Sequence, residues 1–247
     1  MNRLILAAVF LLISVAYSKA QVLVVDDDIQ LVHLHDSVFL HVTWDNDETY
    51  GRFSSNGMVL IRSGKALMVD TPMDDEKTEK LVRWLKDKLS VKVTRVVIGH
   101  FHDDCLGGLG YLHRLGVISI SNRLTAEKCR ELKLPVTFIQ FNEVLNFDFH
   151  GVPVECRYFG GGHTSDNITV WLPGMKILFG GCLIKSAESK GLGNLSDAMV
   201  DEWASTVERV MATYNDIGIV IPGHGNAGGQ NLLEHTIRLV DAQVLSE

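Results

Sequence analysis

Two imidazoles two residues apart, His100 and His102, with a carboxylate two further on at Asp104, stand in the segment Gly99-His100-Phe101-His102-Asp103-Asp104-Cys105. In extended backbone, residues i and i+2 point the same way. The pair can therefore grip one metal ion, while Asp104, where a strand gives way to a helix, can face a second. Three later segments put further ligand-type residues beside glycines: Gly160-Gly161-Gly162-His163, Gly180-Gly181-Cys182 and Pro222-Gly223-His224-Gly225. Glycine lets the backbone turn sharply and come close to an ion. Taken singly, each of the six is as well read as a packed or surface residue; as a set they are not. Zinc favours nitrogen and sulfur donors in tetrahedral sets, and a catalytic zinc keeps one position for water. Six donors make two such three-ligand sites. His33, His35, His41, His113, His150 and His235 lack comparable settings and read as surface or packing residues.

These segments need a scaffold that brings distant loops together. Strand-like runs occur at Val38 to Thr43, Met58 to Arg62 and Ala66 to Asp70, the last two separated by Ser-Gly-Lys, a hairpin signal. The period then changes. Leu81, Val82, Leu85 and Leu89 form a helical stripe, with Asp74, Asp75 and Glu76 near its start, which predicts a helix over 74–89. A β-branched run, Val93 to Ile98, delivers the chain to His100. Beyond it the expected order is a helix from Leu106 to Leu115, a strand from Val117 to Ser121 and a short helix from Thr125 to Leu132. Strands follow at Thr137 to Phe141, Val152 to Tyr158, Ile168 to Leu172 and Lys176 to Phe179. A helix from Met199 to Tyr214, a strand from Ile217 to Ile221 and a helix from Asn231 to Val244 close the chain. Strands punctuated by helices and ending in loops that carry His, Asp or Cys indicate an α/β fold, sheets packed between helices, with function at the strand ends.

The N-terminus reads separately. Met-Asn-Arg precedes an apolar run from Leu4 to Tyr17 and the stretch Ser18-Lys19-Ala20, the pattern of a secretory signal peptide cleaved after Ala20. The run is shorter than the ~20 residues that cross a bilayer, and no cysteine follows it to carry a lipid. Residues 21–247 are expected as a single soluble domain, with no membrane contact once the leader is removed. The whole chain carries a formal charge of -7, and loss of the leader's Arg3 and Lys19 takes it to about -9. Such a balance argues against a nucleic-acid partner. Four cysteines, Cys105, Cys129, Cys156 and Cys182, have no spacing that dictates a pairing. In an oxidising compartment disulfides would be usual, but a metal-ligating Cys182 must remain a thiolate.

With these motifs the sequence resembles the metallo-β-lactamases, and the six residues match the dizinc subclass, B1, over a stretch from about Asp36 to the final helix. The resemblance implies an αβ/βα four-layer sandwich, two central mixed sheets flanked by helices, with metals in the groove at one sheet edge. It also implies that the turn Asp70-Thr71-Pro72 ends a strand beneath the site. It assigns His100, His102 and His163 to a first Zn²⁺ and Asp104, Cys182 and His224 to a second, two ions per chain. Lys185 falls where the family binds the substrate carboxylate, and Asn194 where it helps stabilise the reacting carbonyl. The relatives in the wider superfamily that open lactones or thioesters typically carry a histidine after the aspartate and a later bridging aspartate. Cys105 and Cys182 stand at those positions here and favour the β-lactamase branch.

The implied activity is opening of the β-lactam ring of penicillins, cephalosporins or carbapenems by a monomeric enzyme in the periplasm, conferring antibiotic resistance. Zinc lowers the pKa of bound water from about 15.7 towards about 7. A hydroxide shared by two ions would attack the lactam carbonyl, with Asp104 orienting it and Asn194 assisting the oxyanion. Two ions with Asp104, Cys182, hydroxide and Lys185 leave the site net positive, which suits a substrate carboxylate. The segment Trp44 to Phe53 lies where the family has a mobile flap, with Tyr50 and Phe53 expected over the substrate. Two other readings stand beside this one: a zinc hydrolase of the same fold acting on lactones or thioesters, and a non-catalytic periplasmic zinc-binding protein.

Overall fold

In the computed structural model, residues 21–48 and 51–245 are described; residues 1–20, expected as a leader, and Tyr50, expected over the substrate, lie outside them. The chain opens with five strands in succession: β1 (Val22–Asp26), β2 (Ile29–His35), β3 (Val38–Asp47), β4 (Gly51–Arg62) and β5 (Lys65–Val69). They pair as an antiparallel meander. The alternation in β4 shows why the strand lies between two layers. Met58 and Leu60 enter one core and Val59 the other, all fully buried, as the two-residue side-chain period requires.

Helix α1 (Asp75–Leu89) starts where Asp74 Oδ1 accepts a hydrogen bond from Lys77 N, satisfying one of the free donors of the first turn. Leu81, Val82 and Leu85 form its buried stripe. After β6 (Lys92–Ile98) come two short helices, α2 (Asp103–Leu106) and α3 (Leu109–Arg114). The single helix expected over 106–115 is therefore broken and begins earlier. Gly107 and Gly108 account for the break: a Cβ would stand 2.0 Å from Met73 O at the first and 1.8 Å from Thr78 Oγ1 at the second. The chain is pressed there against α1 and the residues that precede it.

The first half closes with β7 (Ile118–Asn122), α4 (Arg123–Leu132) and β8 (Ile139–Phe141). Strands β5 to β8 pair in parallel, so the eight-stranded sheet, in order β1 to β8, is mixed. The second half supplies β9 (Val144–Phe149), β10 (Val152–Tyr158), β11 (Ile168–Leu172), β12 (Ile177–Gly181), helix α5 (Val200–Thr213), β13 (Ile219–Pro222) and helix α6 (Asn231–Val244). Its five-stranded sheet runs β13-β12-β11-β10-β9, with β12 and β13 parallel and the other pairs antiparallel. The sequence reading contained neither β1 and β2 nor β9. The last is half of a hairpin whose turn residues His150 and Gly151 both have positive φ.

Three apolar cores separate four layers. One lies between the first sheet and α1, α3 and α4; one lies between the sheets; one lies between the second sheet and α5 and α6. This is the expected sandwich of two mixed sheets between helices.

Candidate metal centre

The parallel arrangement determines where the ligand-type residues go. His100 stands two residues beyond β6, Cys182 directly after β12 and His224 two residues beyond β13. Because β11 runs antiparallel to β12, its start, preceded by His163, lies beside the end of β12. Backbone bonds tie the halves together at this edge: Ile168 N donates to Gly99 O at 2.9 Å, and Asn56 N to Gly223 O at 2.8 Å. All six expected residues meet there, in two groups, His100 with His102 and His163, and Asp104 with Cys182 and His224.

In the first group His102 Nδ1 lies 3.0 Å from His100 Nε2 and 3.2 Å from His163 Nε2. In the second, Asp104 Oδ2 lies 3.2 Å from Cys182 Sγ and 3.3 Å from His224 Nε2, and the sulfur is 3.5 Å from that nitrogen. Nitrogens about 2.0–2.1 Å from a tetrahedral zinc would stand about 3.3 Å apart, and sulfur, with its longer bond, slightly further. The residues fit two such ions.

The outward nitrogens support the fit. His224 Nδ1 donates to Ser54 O at 2.7 Å and His102 Nε2 to Asp197 Oδ2 at 3.1 Å. His100 Nδ1 lies 3.0 Å from Cys105 Sγ, which is 3.1 Å from Asp70 Oδ2. With the outward nitrogen of each of these rings so engaged, loss of the proton from the nitrogen facing the cluster would leave a lone pair for a metal, the arrangement that orients metal-bound imidazoles. Of the four cluster imidazoles, His163 is the one whose outward nitrogen, Nδ1, is buried without a partner.

Crowding shifts the ionisable groups. Burial pushes the Asp104 carboxyl up, but the hydrogen bond from His224 and the charges of His100 and His224 hold it well below the usual range. The Cys182 thiol is drawn down to about 5, chiefly by the neighbouring Cys105 and against its burial. His163 is held low by burial and by His100. Both ligands of acidic type are thus predisposed to the anionic form that metal binding needs.

Asp70 and Cys105 form a support beneath the site. Asp70 follows β5 with φ +59°, its Oδ1 accepting from Gly99 N at 2.6 Å and its carbonyl lying 3.2 Å from His41 Nε2. Burial raises its carboxyl to about 8. Gly223 is required by close approach: a Cβ there would lie 2.3 Å from Cys182 Sγ. All four cysteines are free and buried.

A cavity of about 530 Å³ opens over both groups, lined by Phe53, Met73 and Leu192 and by Lys185, Asn194 and His102 among others. Lys185 is 8 % exposed, with Nζ 5.1 Å over the Trp203 ring. Asn194 is exposed, and its Oδ1 accepts from Ser196 N at 3.0 Å. The expected flap is the end of a ribbon, because β3 and β4 extend to Asp47 and from Gly51; polar Ser55 and Asn56 disguise the continuation, although both are buried. Phe53 reaches the cavity. Residues absent from the sequence reading of the site include Met73, Leu192 and Asp197, and no local pattern marks the last.

No family model matches the chain. A metallo-β-lactamase type 2 of Bacteroides fragilis is 42 % identical over 242 residues, covering 96 % of this chain and 97 % of that one. The chain belongs to the metallo-β-lactamases. The Bacillus cereus metallo-β-lactamase type 2 is 40 % identical over 217 residues, 86 % of this chain and 82 % of its own. Among solved structures, a metallo-β-lactamase from Pontibacter korlensis superposes with a TM-score of 0.83 at 34 % identity, covering 86 % of this metallo-β-lactamase and 99 % of its relative. The FIM-1 enzyme of Pseudomonas aeruginosa, described in a mono-zinc form, gives 0.81 at 29 % identity, covering 88 % and 97 %.

Proposed function

We propose that this metallo-β-lactamase holds two zinc ions and hydrolyses the β-lactam amide of antibiotics in the periplasm, as a monomer released by removal of residues 1–20. The observation that carries the reading is the pair of three-donor groups under one cavity that also presents Lys185 and Asn194. His100, His102 and His163 would hold one ion, and Asp104, Cys182 and His224 the other. Bound zinc supplies a water of lowered pKa and a Lewis acid for the reacting carbonyl.

The remaining work falls to side chains. Lys185 is held in a fixed position by its backbone N–H, which donates to Thr236 Oγ1 at 2.8 Å, and by Trp203 beneath its ammonium. Burial lowers its pKa, while Cys182 and Asp104 oppose the shift. An anionic substrate carboxylate suits this ammonium and would orient the ring over the metals. Asn194, whose Oδ1 is already engaged, has its amide N–H groups free to donate to the carbonyl oxygen as charge develops there. Phe53, its ring 6.2 Å from that of His224, would close over the bound drug and exclude water.

Hydrolysis of a carbapenem and a cephalosporin, before chelation, after chelation and after zinc is restored, tests the proposal. Turnover lost with chelator and regained with zinc is expected. Zinc binding without opening of either ring refutes it and leaves lactones and thioesters as the substrates to assay. Metal titration, with two equivalents expected, tests the ion count separately.

A further inference from the structure

Twelve large apolar residues are exposed among the described residues, and five of them, Leu115, Ile118, Leu132, Phe138 and Ile139, fall between His113 and Gln140, at 42 to 62 % exposure. Topology gathers them. The connections from α3 to β7 and from α4 to β8 lead into adjacent parallel strands, so both lie at the same end of the first sheet. They are pinned together: the Phe138 ring stacks on His113 at 4.3 Å, and Ser119 Oγ accepts from Phe138 N at 3.0 Å and lies 2.8 Å from His113 Nε2. This end is opposite the metal centre, since β6 and β7 run away from it towards His100 and Asn122.

The charge of this block differs from that of the rest. Between His113 and Gln140 five cations, Arg114, Arg123, Lys128, Arg130 and Lys133, face two acids, Glu127 and Glu131, in a chain of net charge -7, although Arg123, next to Asn122, stands at the metal-centre end. Arg123 and Lys128 pair with those acids, and Arg114 with Asp75. Among the described residues Arg130 bonds the neutral Gln140 side chain and no acid pairs with it or with Lys133. Basic residues in the last turns of α3 and α4 suit the helix dipoles, but that does not account for the uncovered leucine, isoleucine and phenylalanine side chains beside them. Exposed apolar side chains gathered at one end of a fold suit an interaction site.

We propose that this end of the molecule is a peripheral binding face for an anionic phospholipid surface. Phe138 and Leu132 would enter the headgroup boundary while Arg130 and Lys133 meet lipid phosphates, the pairing of apolar insertion with cations that interfacial proteins use. No helix among the described residues is long and apolar enough to cross a membrane, and this mode needs none. It revises the expectation of no membrane contact, which rested on span length and the lack of a lipid site. The metal centre would face away from the bilayer and stay open to solutes. The proposal is independent of the β-lactamase reading.

Co-sedimentation of the chain starting at Gln21 with vesicles tests it, using phosphatidylglycerol with phosphatidylethanolamine against phosphatidylcholine alone. Binding to the anionic vesicles only, weakened by salt, is expected. Lys133→Glu should lower the partition roughly fivefold or more, and Phe138→Ser about tenfold, with each variant's thermal transition confirming its fold. Equal behaviour on both vesicle types, or unaltered binding by the variants, overturns the proposal. So does a dimer in sedimentation velocity that Phe138→Ser disperses, which would assign the face to a second copy of the chain.

Discussion

Asp197 belongs to the loop that carries Asn194, yet its carboxylate lies 3.1 Å from His102 Nε2. Replacing it by Asn preserves the shape and removes the charge; replacing it by Ala also removes the hydrogen bond. Partners of this kind are worth about 10- to 100-fold in metal affinity. Because the Asp197 side chain is 41 % exposed, water competes for the ring, and the lower end applies: about tenfold for Asp197→Ala, or ~1.4 kcal/mol. Asp197→Asn, which can still accept through its amide oxygen, should lose less. Competition with a chromophoric chelator reads the affinity. Cobalt substitution separates the two groups, because only the Cys182 group gives a thiolate band, and that band should be unchanged. Equal zinc affinity in wild type and Asp197→Ala would show that the contact does not position His102.

Four further outcomes are expected. Gly223→Ala forces a methyl against Cys182 Sγ and should cost more than tenfold in affinity of the second group, read by zinc stoichiometry on folded protein. Trp203, fully buried and donating to Leu183 O at 2.7 Å, should cost about 3–5 kcal/mol when cut to alanine, seen in denaturant unfolding. Burial lowers His41 to about 4, with the bond to Asp70 opposing. The unfolded chain therefore takes up a proton near pH 6.5 that the folded chain resists until about pH 4. Stability falls as pH drops through that window, by about 3 kcal/mol in full, and His41→Gln should lack this component when unfolding midpoints at pH 7.5 and 5 are compared. Deleting the tip of the ribbon between β3 and β4 should raise KM with zinc content unchanged; an unaltered KM removes Phe53 and its neighbours from substrate binding.

All six metal-type residues were legible because each sits beside a glycine or in the His-x-His-x-Asp spacing at the end of a strand with a clear period. Elements with strong stripes, such as α1 and β6, were equally readable. What escaped depends on tertiary contact. The division into α2 and α3 reflects Met73 and Thr78 pressing on Gly107 and Gly108, which the apolar pattern of Leu106, Leu109 and Leu112 does not record. The length of β4 was hidden because Ser55 and Asn56 are polar yet buried, Thr43 Oγ1 lying 3.0 Å from Ser55 Oγ and Asn56 Nδ2 donating to Pro222 O. Asp197 reaches His102 across 95 positions of sequence, and no local pattern encodes such a meeting.

That separation also bears on the order of events as the chain is made. The donors extend from His100 to His224, and the second group takes one residue from the first sheet's half and two from the other. Ring closure over so long a stretch is slow and entropically costly. A nascent or truncated chain ending before His224 holds every donor of the three-histidine group but only two of the three donors of its neighbour. A metal held by the second group would therefore span the two halves, adding to the apolar core between the sheets and to the backbone bonds at this edge.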